Sequence, residues 1–181
     1  MLGTFIKVTL CVSLLCALLS AQEIPGRRIP SITMLPVPLA KVTRGKANTV
    51  ELQFRVSAGF HVNSNKPTEA YLIPTVLKLD APTDIVLGGV TYPEGRVMSF
   101  AFAPDEKLSV YSEEFDLAVM VRPLSSVLPG DYEFRGQLRY QACDNAACYP
   151  PKTLPVRFAV KVVKAPPPPR KNPAQSPHIH N

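Results

Sequence analysis

The chain is poor in the residues that most often build metal and redox sites. It has four cysteines and three histidines among 181 residues. No two cysteines are separated by the two residues of a thioredoxin-type pair, and no βαβ pattern surrounds them, which argues against a thioredoxin fold. No second pair joins Cys143 and Cys148 to complete a zinc site, and His61 stands alone. We therefore expect no metal and no other cofactor.

Long helices and nucleic-acid-binding features are also missing. The 20 prolines, together with turn pairs such as Pro129-Gly130, leave no room for a long helix. The formal net charge is only +6, and aromatic residues are not interleaved with basic clusters. The composition thus gives no support for nucleic acid as a partner.

Residues 1–21 have the layout of a secretory signal peptide. One basic residue, Lys7, precedes a stretch without charge that ends at Ala21. This stretch is shorter than the about 20 apolar residues that a bilayer span needs. We expect cleavage after Ala21, which removes Cys11 and Cys16 and leaves no stable membrane anchor. An uncleaved N-terminal anchor is the alternative.

The folded part of the chain is expected at residues 31–164. Residues 22–30 form a linker in this interpretation. Residues 165–181 are rich in proline and polar residues and have no apolar period, which is typical of a disordered tail. The remaining length corresponds to one domain of ordinary size.

Apolar and polar residues alternate with a period of two over most of the folded part. Such alternation predicts antiparallel strands with one buried face. The apolar positions of four long strands are Val50, Leu52, Phe54 and Val56; Phe115, Leu117, Val119 and Val121; Tyr132, Phe134, Gly136, Leu138 and Tyr140; and Val156, Phe158, Val160 and Val162. Shorter strands are expected at Val37–Val42, Thr75–Leu79 and Ile85–Thr91. The pattern indicates an all-β, immunoglobulin-like antiparallel β-sandwich, with a closed barrel as the alternative.

Cys143 and Cys148 flank a tight connection between two predicted hairpin partners. Opposed residues of an antiparallel pair have about the Cα separation that a disulfide needs, so a bridge is geometrically plausible. Outside the cytosol such a bridge persists. Alternation places Cys143 on the polar face of its strand, where we expect its sulfur to be accessible.

The spacing leaves the role of this bridge open. A loop of six residues stabilises a fold by only about 2 kcal/mol in the chain-entropy model. A contribution this small suits a disulfide that opens and closes in redox exchange. An inert staple across the hairpin is equally compatible with the spacing.

The segment Tyr140-Gln-Ala-Cys-Asp-Asn-Ala-Ala-Cys-Tyr-Pro-Pro-Lys-Thr resembles the active-site segment of the periplasmic N-terminal domain of the DsbD thiol:disulfide interchange protein family. The family pattern is Tyr-Gln-x-Cys, a short insert and Cys-x-Pro-Pro. Two further segments, Gly59-Phe-His-Val-Asn-Ser-Asn-Lys-Pro and Tyr92-Pro-Glu, are similar to segments common in that family. The resemblance spans about Thr33 to Val163.

The resemblance implies an immunoglobulin-like sandwich whose disulfide exchanges with thioredoxin-fold proteins. Cys148 would form the mixed disulfide and Cys143 would resolve it. A cap segment, Arg96–Phe102, would shield the disulfide through Phe100 or Phe102. The surroundings of the site would further include Tyr140, Tyr149 and Pro150.

The chain departs from the best-known family members in its cap and in its cysteine loop. Val97-Met98-Ser99 replaces the acidic residues that accompany the cap aromatic in those members, and the insert between the cysteines is one residue shorter. Nothing after Val163 is expected to supply the family's membrane domain or its thioredoxin-like domain. Electrons would therefore come from a separate membrane electron transporter.

The leading hypothesis is an exported, periplasmic thiol:disulfide exchange module, that is, a thiol:disulfide oxidoreductase or electron relay. It would relay reducing equivalents between a membrane electron transporter and thioredoxin-fold clients, for example in disulfide correction or cytochrome c biogenesis. The alternative is a secreted immunoglobulin-like binding or scaffold module in which the disulfide is purely structural.

Overall fold

The computed structural model describes residues 29–167, and within that range the chain forms twelve β-strands and no helix. In chain order the strands are β1 (Ile32–Met34), β2 (Ala40–Thr43), β3 (Asn48–Val56), β4 (His61–Asn63), β5 (Val76–Asp80), β6 (Ile85–Thr91), β7 (Arg96–Phe100), β8 (Ala103–Ser112), β9 (Glu114–Pro123), β10 (Gly130–Tyr140), β11 (Ala142–Cys143) and β12 (Lys152–Val163). The predicted all-β class is confirmed.

The strands form three four-stranded sheets. The first sheet has the order β1-β3-β9-β6, the second β2-β12-β10-β5 and the third β11-β4-β8-β7. These strands pair in antiparallel fashion except for β2 and β12, which are parallel. The three sheets stay separate within residues 29–167, so the barrel alternative is wrong. The architecture is the predicted immunoglobulin-like β-sandwich.

The main hydrophobic core is built by the first and second sheets. Phe54 of β3 stacks on Phe115 of β9 with ring centroids 5.5 Å apart, and Phe134 of β10 stacks on Phe158 of β12 at 4.8 Å. Burying a side chain of this kind stabilises a fold by about 1.5–3 kcal/mol. Every apolar position predicted for β3, β9 and β12 is buried, as the alternation requires.

The predicted hairpin partners on either side of the cysteines are confirmed. Strands β10 and β12 pair along their length, from Gly130 opposite Val162 to Tyr140 opposite Lys152. The paired ends of β10 and β12 therefore hold the chain on both sides of the loop that contains Cys143 and Cys148. Of the shorter predicted strands, Ile85–Thr91 matches β6, whereas β2 begins three residues later than expected and β5 one residue later.

The third sheet was not predicted as such, and it carries the site. Strand β4 is buried at all three positions and β7 is exposed at four of five, so neither shows alternation. The predicted cap segment is β7 and the turn that leads into β8. We call residues 96–112, which form this β-hairpin, the cap hairpin.

Several predictions at the chain ends fall outside the described residues. These are the leader at residues 1–21, residues 22–28 of the linker and residues 168–181 of the tail. The described range contains the predicted folded part, residues 31–164. Within that range no helix has the length and apolar character of a membrane span.

Candidate functional site

The third sheet packs one face on the main core, and the turn end of its own cap hairpin folds over the other face. Val62 of β4, Tyr111 of β8 and Ala142 of β11 belong to the main core. Neighbouring side chains of a strand point to opposite faces, so His61 and Cys143 point away from that core. Both are nevertheless buried, with His61 4% exposed and Cys143 0% exposed.

The cap hairpin closes over this second face. Leu108 and Val110 of β8 form a small buried cluster with Leu72. Phe100 at the end of β7 and Phe102 in the turn pack against this cluster. The hairpin thus encloses the side of the sheet that carries His61 and Cys143.

Cys143 and Cys148 form the disulfide that the sequence allowed, with an S–S distance of 2.02 Å. Their Cα atoms are 3.9 Å apart. The two residues differ in exposure, since Cys143 has no exposed surface whereas Cys148 is half-buried. An approaching molecule therefore meets Cys148 first.

The prediction that the sulfur of Cys143 is accessible is wrong. The alternation itself holds, because Tyr140 and Ala142 face the main core and Cys143 faces the other way. The error lies in treating the second face as solvent. The cap hairpin covers that face, and its covering residues come from a distant part of the chain.

Asp144 orders the loop between the cysteines. Its carboxylate accepts hydrogen bonds from the Ala146 amide at 2.7 Å, the Ala147 amide at 2.9 Å and the Tyr149 hydroxyl at 2.6 Å. These bonds, the one from Tyr149 foremost, lower the pKa of Asp144. The loop is therefore a fixed turn, and the sequence prediction had assigned no role to Asp144.

Gln141 links the cysteine loop to two other segments. Its Oε1 accepts hydrogen bonds from Nδ2 of Asn63 and from the amide of Ile73, each at 3.2 Å. Its Nε2 donates to the carbonyl oxygen of Tyr149 at 3.1 Å. Gln141, two residues before Cys143, thus holds Tyr149, the residue after Cys148, in place.

The three predicted surrounding residues lie at different places. Tyr149 contacts the loop through Asp144 and also meets the ring of Phe60 edge-on, with centroids 5.8 Å apart. Tyr140 is buried in the main core, and its hydroxyl accepts a hydrogen bond from the amide of Ile32 at 3.3 Å. Pro150 is exposed beside the loop.

Both predicted cap aromatics reach the site. The ring of Phe100 stacks on the imidazole of His61 with centroids 3.8 Å apart. Phe102 stacks on Phe100 at 5.7 Å. Between them, the amide of Ala101 donates a hydrogen bond to Oδ1 of Asn145 at 3.2 Å, which joins the cap hairpin to the cysteine loop.

His61 is the site residue that sequence reasoning missed. The sequence shows it as an isolated histidine within the family-like segment that begins at Gly59, with no role assigned, yet it pairs directly with Cys143 across β4 and β11. Burial lowers the pKa of His61 to about 4, against a smaller opposing effect of the negative charge on Asp144. Only the pairing of two strands distant in sequence brings His61 to the disulfide, and no local pattern predicts that.

A surface pocket of about 480 Å³ opens beside Cys148. Phe102 and Gln141 are among the residues that line it. Tyr71 and Glu106 also line it, and the Tyr71 hydroxyl donates a hydrogen bond to the Glu106 carboxylate. That hydrogen bond is the main reason why the pKa of Tyr71 is raised to about 12. The pocket gives a molecule from solution a path to Cys148.

Fold and site together define a class of protein: a β-sandwich domain with a disulfide held between a fixed turn and a hairpin cap. In the part of the chain that the structure describes, no group of His, Cys, Asp and Glu side chains could hold a metal ion. The family model for the N-terminal domain of the thiol:disulfide interchange protein DsbD matches residues 33–159. The chain belongs to this family, and the family together with the disulfide supports thiol:disulfide exchange.

Solved structures include similar domains. The reduced DsbD N-terminal domain of Neisseria meningitidis is 22% identical with a TM-score of 0.41, over 65% of this chain and 85% of that one. A chain in the complex of the DsbD and PilB N-terminal domains from the same organism is 23% identical with a TM-score of 0.40, over 60% of this chain and 73% of that one. The N-terminal periplasmic domain of ScsB from Proteus mirabilis is 12% identical with a TM-score of 0.44, over 75% of this chain and 48% of that one. A comparison with curated protein sequences finds no match.

Proposed function

We propose that the chain is an exported thiol:disulfide exchange module in which Cys148 forms mixed disulfides and Cys143 resolves them. The observation that carries the proposal is the unequal exposure of the two cysteines. Cys148 is half-buried at the edge of a pocket, whereas Cys143 has no exposed surface. Exchange requires access to the attacked sulfur, and Cys148 offers it. Membership of the DsbD N-terminal family supports the same chemistry.

The exchange would run in two steps in each direction. A donor thiolate attacks Sγ of Cys148, and Cys143 leaves as a thiolate that takes up a proton. The second thiol of the donor then releases Cys148, so the domain gains two electrons. In the forward transfer, the Cys148 thiolate attacks a client disulfide, and Cys143 attacks Sγ of Cys148 to release the reduced client.

The cap hairpin would control this access, with Phe100 and Phe102 as the shield. Both rings are only half-buried, and the turn between them is tied to the cysteine loop by the hydrogen bond from Ala101 to Asn145. Neither phenylalanine belongs to the main core. The turn of the cap hairpin that carries these two rings can therefore lift while the sandwich remains folded, and a docking partner would displace it.

The partners in this proposal are thioredoxin-fold redox proteins and a membrane electron transporter, each a separate chain. The location in this proposal is the periplasm, reached after cleavage of the leader. The family relation supports these partners and this location. An electron relay of this kind would serve disulfide correction or cytochrome c biogenesis.

The proposal is tested by trapping partners in intact cells with a Cys143→Ala variant. Without its resolving cysteine, Cys148 should remain joined to its partners by a disulfide. Non-reducing electrophoresis should then show species of higher mass that disappear when a reductant is added. The Cys148→Ala variant is the matched control. It leaves only the buried Cys143 and should trap nothing.

A second measurement separates an exchanging disulfide from a structural staple. A structural disulfide has a reduction potential below about −300 mV, and an exchanging one lies above it. A potential below that value, together with the absence of any Cys148-linked species in cells, would overturn the proposal in favour of a scaffold module.

A further inference from the structure

Cys143 lies in a row between His61 and Cys148. Its Cα pairs with that of His61 on one side and with that of Cys148 on the other. Directly opposed residues of antiparallel neighbours point to the same face, with Cβ atoms about 4.5–5.5 Å apart. The imidazole of His61 is therefore next to Cys143, on the side away from Cys148.

One nitrogen of this imidazole has no hydrogen-bond partner in the described part of the chain. Nε2 of His61 is buried, and no group in residues 29–167 bonds to it. A buried polar atom left in this state costs about 1–3 kcal/mol, and native structures keep few of them. An orphaned nitrogen beside a redox cysteine points to a partner that exists only when the disulfide is open.

The resolving step creates the need for such a partner. Cys143 must attack Sγ of Cys148 as a thiolate. An isolated negative charge is strongly disfavoured where Cys143 lies, because that residue is fully buried under the cap hairpin. The thiol proton must therefore pass to a group already inside the site.

We propose that His61 is the proton acceptor for Cys143 in the resolving step, an inference that rests on the exchange function proposed above. Nε2 takes the thiol proton as Sγ of Cys143 bonds to Sγ of Cys148. The mixed disulfide bond breaks, and the client leaves as a thiolate with the electron pair. The domain loses two electrons, the client gains them, and the imidazolium then gives up its proton to water, from which the client thiolate takes up a proton. In the reverse direction, the imidazolium protonates Cys143 as it leaves.

The surroundings of His61 suit a proton acceptor. Its lowered pKa, about 4, keeps the ring neutral at every pH above that value, so the nitrogen is unprotonated before the step. Phe100 stacks on the ring and holds its orientation. The negative charge of Asp144 favours the protonated ring, and so would the new thiolate beside it. Ser112, opposite His61 on β8, carries no charge.

The test follows the purified, reduced chain as it reacts with the aryl disulfide dithiobis(nitrobenzoate), which releases a coloured thiolate. The first release reports attack by Cys148, and the second reports attack by Cys143 on the mixed disulfide. His61→Phe keeps an aromatic ring against Phe100 but removes the nitrogen. It should slow the second release by about 100-fold at neutral pH and leave the first unchanged. In this variant the second release should rise about tenfold for each pH unit, as the fraction of free thiolate does.

Two further variants separate proton transfer from simple covering of the site. His61→Ala leaves a space beside Cys143, and free imidazole in the buffer should restore its second release. Leu72→Ala loosens the packing under the cap hairpin but keeps both the imidazole and the Phe100 ring that stacks on it, so its second release should not slow. A second release in His61→Phe within about threefold of the parent at every pH would overturn the role of His61.

The two proposals fail in different ways. If the cell trap finds no mixed disulfide but the second release depends on His61 as expected, the exchange function fails and the proton transfer stands. If partners are trapped but the rate of the second release does not depend on His61, the exchange function stands and the role of His61 is overturned.

Discussion

At the scale of single residues, Gln141 fastens the cysteine loop to the sheet. We expect Gln141→Ala to lower the free energy of unfolding by about 1–3 kcal/mol, because Asn63 and the amide of Ile73 lose a half-buried acceptor. Denaturant unfolding of the oxidised protein measures this. Gln137→Ala is the matched control on the exposed face of β10 and should change stability by no more than about 0.5 kcal/mol. Equal effects of the two substitutions would contradict the fastening role.

Acid weakens the contributions of Asp144 and His61 over different ranges of pH. The pKa of Asp144 is lowered by its hydrogen bonds, so its stabilising effect is complete above its ordinary value of 3.8 and is lost only as pH falls below that. The pKa of His61 is lowered from 6.5 to about 4 by burial, so the closed cap loses stability as pH falls from 6.5 to 4. Mild acid therefore loosens the cap hairpin while the cysteine loop stays ordered.

At the scale of elements, a strand could be predicted from the sequence when only one of its faces is buried. The long strands of the sandwich were predicted because one face meets the core and the other meets water, which leaves a period of two in the sequence. Strands β4 and β7 break that rule, since β4 is buried on both faces and β7 is exposed on nearly all of its length. The third sheet therefore could not be found from periodicity.

The features of the candidate site likewise divide into those that are local in sequence and those that depend on distant segments. The cysteine pair and its turn are local in sequence, so spacing alone indicated the bridge between Cys143 and Cys148. The cap aromatics followed from a family resemblance. The place of His61 depends on pairing between β4 and β11, and the burial of Cys143 depends on the cap hairpin, so neither could be read from local sequence.

The cap hairpin is the element whose movement should control access to the disulfide. Phe100→Ala removes the stack on His61 and part of the packing on the small cluster under the cap. A loss of one or two kcal/mol from the closed state would raise the rate of reduction by dithiothreitol about 5–30-fold. The reaction is followed by alkylation of the freed thiols.

Val97→Ala provides the control for this prediction. Val97 lies on the same strand with 63% of its surface exposed, so its truncation should leave the reduction rate unchanged. A reduction rate for Phe100→Ala equal to that of the parent would mean that the cap does not limit access to Cys148.

At the scale of the whole molecule, the redox site and the stability of the fold are separated. The main core is formed by the first and second sheets together with one face of the third, whereas Phe100, Phe102 and Leu72 belong to a second, smaller cluster under the cap. Cys143 and Cys148 lie in neither cluster. Opening the disulfide or lifting the turn of the cap hairpin that carries Phe100 and Phe102 therefore disturbs little of the buried surface on which folding depends.

Reduction of the disulfide should accordingly leave the sandwich folded. The loop between Cys143 and Cys148 spans six residues, for which the chain-entropy model gives about 2 kcal/mol, while domains of this size are stable by about 5–15 kcal/mol. Thermal or denaturant unfolding with and without reductant should show one cooperative transition in both cases, shifted modestly to lower stability on reduction. A variant with both cysteines replaced by alanine should unfold like the reduced protein. Loss of the cooperative transition on reduction would mean that the disulfide holds the sandwich together, and an electron relay cannot depend on a bond whose opening unfolds it.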